Sequence, residues 1–98
     1  MSARIVIITG PPGAGKSTIS RKLAENSTYE RAIHLHTDDF YSYIRKGYID
    51  PWLPDSPSQN ELVIKAIMES ARTFAIGDGK INYEVFVDGV IGPWYIEP

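Results

Sequence analysis

Gly10-Pro11-Pro12-Gly13-Ala14-Gly15-Lys16-Ser17 decides the fold of this 98-residue chain. It meets the pattern G-x-x-x-x-G-K-[ST] at every required position. Each required residue has its own physical task. Glycines lack a Cβ, so the backbone curls tightly and comes close to an anion. The amides from Gly13 onward then point inward as a nest for phosphate oxygens. Pro11 and Pro12 have no N–H and stiffen the approach to the loop. In this pattern the lysine, here Lys16, reaches the β and γ phosphates, and the Ser17 hydroxyl ligates Mg²⁺. The residues expected to cradle the nucleotide are Gly10, Gly13, Ala14, Gly15, Lys16, Ser17 and Thr18.

The flanks supply the context that such a loop requires. Arg4-Ile5-Val6-Ile7-Ile8-Thr9 is β-branched and nearly all apolar, as expected of a strand buried on both faces of a parallel sheet. After the loop, Ile19 and Leu23 are spaced i, i+4, with Arg21 and Lys22 turned away, which predicts an amphipathic helix. Phosphates would then sit at a helix N-terminus, where free amides and the helix dipole favour negative charge.

Composition narrows the function classes. The chain is 43% hydrophobic with a net charge of −2 and has no cysteine. That excludes disulfides, thiolate metal sites and a cysteine nucleophile. No basic groove is visible, so nucleic acid is not an expected partner. The apolar run near the start is far shorter than the ~20 residues of a membrane span. It runs directly into the glycine-rich loop, so it does not read as a signal peptide. The expected location is the cytoplasm.

A second strand is expected at Ala32-Ile33-His34-Leu35-His36, where Ile33 and Leu35 alternate with two histidines. Residues 40–46 suggest a short helix closed by Gly47. Residues 47–58 carry Pro51, Pro54 and Pro57 and cannot be regular helix. Ser58-Gln59-Asn60-Glu61 fits the capping box S-x-x-E and predicts a helix over 59–76, stopped by Gly77. The third strand is expected over 83–88, and 90–98 reads as loop. The order is β-α-β-α-β, with connections long enough for parallel strands. In such open sheets ligands bind beyond the C-terminal ends of the strands.

Three carboxylates fall at those ends. Asp38 and Asp39 follow the second strand, and Asp88 closes the third. A carboxylate beside a bound nucleotide can accept the proton of an attacking hydroxyl or hold Mg²⁺, directly or through water. The bland alternative for Asp39 is the cap of a helix beginning at Phe40. His34 and His36 share a strand face, but no third ligand is evident nearby in sequence, so a half-exposed face is the expectation. Tyr41, Tyr43, Tyr48 and Trp52 either stack on a ligand or pack a helix and its loop. Trp94 and Tyr95 are weaker candidates for the same pocket.

The segment His36-Thr37-Asp38-Asp39-Phe40-Tyr41 resembles that of P-loop small-molecule kinases such as uridine kinases and nicotinamide riboside kinases. Val85-Phe86-Val87-Asp88-Gly89 is similar to the third strand of the same superfamily, which includes ATP-binding proteins of unassigned substrate. The resemblance implies an α/β fold of P-loop NTPase type, with a parallel sheet in the order 2-3-1 flanked by helices. It implies ATP and Mg²⁺ as cofactors, Lys16 and Asp38 in catalysis with Asp39 as a neighbouring candidate, and Ser17 and Asp88 at the metal. It also implies a small-molecule acceptor, and phosphorylation of a sugar-nucleotide as in zeta-type toxins is one variant.

Such kinases have two further strands and an arginine-bearing lid. No arginine follows Arg72, leaving Arg45, Arg72 or another chain to supply that charge. The expectation is therefore that residues 1–98 form the N-terminal part of a kinase-like domain. The alternative is a chain completed by self-association through the open edge of its first strand. A nucleotide-binding module without catalysis and an NTP-hydrolysing ATPase stand as the other function classes.

Overall fold

The computed structural model describes residues 2–9 and 15–89. Along the chain run β1 (Arg4–Ile8), α1 (Lys16–Glu25), β2 (Ala32–His36), α2 (Thr37–Ser42), α3 (Pro57–Ile76) and β3 (Glu84–Asp88). The strands form one three-stranded parallel sheet in the order β1-β3-β2, the expected 2-3-1 arrangement. Parallel pairing demands crossovers, and α1 and α3 provide them. The first crossover runs outward past β3 and the second returns, so right-handed connections place the two helices on opposite faces.

The core lies on the α3 face. Ile67, Ala71 and Ala75 pack against Val85 and Val87, all nearly or fully buried, and Ile33, Leu35 and Phe74 close around them. Strand periodicity then puts Glu84, Phe86 and Asp88 on the opposite face of β3, and these too are buried. Glu84 is held there by Arg4, at 3.1 Å, and by the hydroxyl of Ser27.

Four local expectations change. β1 lies at the sheet edge as the 2-3-1 order implies, but it is not buried on both faces: Ile5 and Ile7 remain exposed. Among the described residues β3 is its one neighbour, and it lies at the margin of what the helices cover. In α1, Ile19 and Leu23 are 50% and 44% exposed, and Ser20 is the fully buried residue. Ser20 and Ala24 form the i, i+4 line that faces the sheet, so the larger side chains splay to the flank. In α3 the capping box is not used. The N-cap is Ser56, and Pro57 occupies the first turn, where its fixed φ and missing N–H fit. Ser58 is therefore already helical. The short helix starts at Thr37 rather than Phe40, so Asp39 lies in its first turn and is not its cap.

Gly77 does end α3, with φ 72°. The proline-rich segment before α3 is pinned to that helix. Gln59 bonds the amide and the carbonyl of Ile49, and Ser56 and Asn60 both donate to the Pro51 carbonyl.

Candidate functional site

Parallel register sets the site. Ile8, Asp88 and His36 are level across the sheet, so the phosphate loop, the end of β3 and the start of α2 leave from one edge. Of the expected nucleotide-binding residues, Gly10, Gly13 and Ala14 lie outside the described residues, as do Trp94 and Tyr95. Gly15 is described. Its φ of 78° is left-handed, which glycine adopts without steric cost. Its carbonyl accepts from the amide of Ile19 at 3.0 Å. Helix α1 then starts at Lys16 with no side-chain cap and no acidic residue in its first turn. Its first amides have no intrahelical acceptor, and Ser17 and Thr18 are exposed beside them. That is the arrangement that receives phosphate.

At the other side of the edge, Asp88 is completely buried. Its carboxylate hydrogen-bonds the imidazoles of both His34 and His36, one on each oxygen. Burial pushes the Asp88 carboxyl up. Hydrogen bonds from His34 and His36, with their charge, more than offset it, so the group sits below the ordinary carboxylate value. The third metal-ligating type of side chain that sequence spacing did not reveal beside the histidine pair is thus Asp88. Only parallel pairing makes it adjacent, because 52 residues separate Asp88 from His36.

The backbone here is locked. The Thr37 hydroxyl, fully buried, donates to the Asp88 carbonyl at 2.8 Å. Gly89 follows with φ 135°, and a Cβ there would lie 2.3 Å from the Thr37 side chain. The end of β3 and the start of α2 therefore fit only with glycine at 89.

Asp38 is 73% exposed, and its Oδ2 lies 3.4 Å from His36 Nε2. His36 thus faces a buried carboxylate with one nitrogen and an exposed carboxylate with the other. Asp39 is exposed too, and its carbonyl accepts from the Ser42 hydroxyl. Tyr41 donates to Asn60 and meets Tyr48 edge-on. Burial, followed by the neighbouring Tyr48 and Asp38, raises the pKa of Tyr41. Tyr43 leans on Phe40, whereas Trp52 is largely exposed. Two of the four aromatics thus meet edge to face, Tyr41 from α2 and Tyr48 from the proline-rich segment, and Trp52 faces outward. Arg45 and Arg72 are exposed.

A phosphate-accepting helix start at the C-terminal edge of a parallel α/β sheet defines a P-loop nucleotide-binding domain. The sequence profile described as AAA domain matches residues 6–96, and the chain belongs to that family. Membership carries nucleotide binding with it. A comparison with curated proteins finds no match. Among the described residues, no helix is long and apolar enough to cross a membrane.

Proposed function

We propose that this chain is the ATP-binding part of a kinase that transfers the γ-phosphoryl group to a hydroxyl of a small molecule. One observation carries the reading: the exposed Asp38 carboxylate stands at the sheet edge from which the phosphate loop leaves, oriented by His36. Asp38 takes the acceptor's proton as its oxygen bonds the γ phosphorus, and the β–γ bridging bond breaks to release ADP. Lys16 and the first amides of α1 neutralise charge on the phosphoryl oxygens. Mg²⁺ suits the oxygen donors present. Ser17 would hold it, with Asp88 acting through water because both its oxygens already accept from imidazoles. That ion supplies charge neutralisation on the phosphates when bound.

The test pairs two variants. Lys16→Ala should weaken ATP binding by about tenfold or more, measured by calorimetry. Asp38→Asn should keep ATP affinity and lose ADP release in the presence of a panel of hydroxylated acceptors. Unchanged affinity in the first variant removes the phosphate-loop role. Near-normal transfer in the second moves the base to Asp39.

A further inference from the structure

We propose that His34, His36 and Asp88 form a site for a divalent transition-metal ion of the zinc class. The inference does not rest on the kinase reading. Magnesium prefers oxygen ligands, so a nucleotide-bound Mg²⁺ gives no reason for two imidazoles here. Two imidazoles and a carboxylate are the donor set of zinc, iron(II), cobalt and nickel sites.

Three independent features point to the ion. The first is convergence: one donor atom from each of the three residues lies within 4.8 Å of the others. An ion about 2.0–2.2 Å from each donor fits such a cluster after small side-chain shifts. The second is a rigid platform. His34 and His36 project from one face of β2, and Asp88 is the register partner of His36 on the adjoining strand. The Thr37 hydroxyl holds the Asp88 backbone, so little ordering is left to be done when a ligand arrives.

The third feature is the outer partner. Ligating histidines usually give their other ring nitrogen to a carboxylate, which fixes tautomer and ring orientation. His36 turns Nδ1 to Asp88 and Nε2 to Asp38 at 3.4 Å. Access is preserved as well. The Asp88 side chain is fully buried, but those of His34 and His36 keep 18% and 24% of their surface. Three protein donors leave one or more positions for water or an anion. Without metal, the two imidazoles bond Asp88 directly, so the site is stable in both states and the ion replaces those hydrogen bonds.

The chain has only two histidines, which makes a direct readout possible. Chelator-treated 98-residue protein is titrated with Zn²⁺ by calorimetry and by NMR of the imidazole resonances, and with Co²⁺ by visible absorption. The expected result is one equivalent bound, with both rings shifting at the first equivalent and excess Mg²⁺ failing to compete. His34→Ala should lose affinity by more than about 30-fold, and Asp38→Asn, acting through His36, by about tenfold. Absence of Zn²⁺ uptake, or rings unmoved by a stoichiometric ion, overturns the proposal without reliance on any variant. So does undiminished binding in a folded His34→Ala protein. ATP–Mg²⁺ affinity is measured on the same samples. Its absence alongside intact Zn²⁺ binding would defeat the kinase reading and leave this one standing.

Discussion

The imidazole of His36 hydrogen-bonds the buried carboxylate of Asp88, its register partner on the neighbouring parallel strand. The pair joins the chain's second and third strands at the C-terminal edge of the sheet. A buried carboxylate without partners would be strongly disfavoured, so the two histidines are what permit an ionised Asp88 at this position.

Removing the carboxylate should therefore be costly. Asp88→Ala leaves two imidazoles facing an empty buried position and should lower stability by about 3 kcal/mol. Urea denaturation checks it. A loss below about 1 kcal/mol, the range of an exposed pair, would show that the cluster contributes little to folding.

Gly89→Ala should damage the same corner by a different route. The added Cβ would lie 2.3 Å from the buried Thr37 side chain, and φ 135° is unfavourable for any L-residue. The expected loss is about 2 kcal/mol or more. Gly47→Ala is the control, since its φ is also positive but nothing lies within 4 Å. Equal losses in both variants would assign the whole effect to backbone strain.

Ile67 is the central core side chain of α3, fully buried against the Val85 and Val87 face of β3. Ile67→Ala should cost about 3 kcal/mol through lost burial and the cavity left behind. Leu62→Ala, on the exposed face of the same helix, should change stability by less than about 0.5 kcal/mol. Comparable denaturation midpoints for the two variants would contradict the packing described.

Asp78 gives the acid response a defined sign. Its carboxylate accepts from the amides of Lys80 and Ile81 at 2.9 and 3.0 Å. These bonds, that from Ile81 first, hold its pKa below the ordinary 3.8. A carboxyl with a lowered folded pKa favours the fold above its unfolded pKa, and that contribution is lost as pH falls through the folded value. Asp78→Asn keeps an acceptor and removes the titration. Its stability should fall less than that of the natural chain between about pH 6 and pH 3. Identical losses would exclude Asp78 as a contributor.

Much of the architecture was legible because it rests on local rules. The loop pattern, the apolar runs of β1 and β3 and the glycine stop of α3 are properties of short windows. The errors share a cause. Ile19 and Leu23 carry a helical period, yet packing chose the Ser20–Ala24 line, because close approach to the sheet favours small side chains. The motif Ser58-to-Glu61 was a valid cap, but Pro57 offered a first turn two residues earlier and Ser56 took the cap. β1 has the composition of a strand buried on both faces, yet at the edge that the expected order gives it Ile5 and Ile7 are exposed, since composition does not encode how far the helices cover an edge.

By itself, then, the sequence determined a phosphate loop between a strand and a helix, the β-α-β-α-β order and three acids at the strand ends. Tertiary structure alone decided that Asp88 meets His34 and His36, and that His36 reaches Asp38. For Asp88 the physical reason is sequence distance: a motif read from spacing sees neighbours within one element, whereas Asp88 meets the two histidines only because β2 and β3 pair in parallel. For Asp38 it is the turn from β2 into α2, which starts at Thr37. A one-residue slip in that register would turn Asp88 to the α3 face and dissolve the cluster.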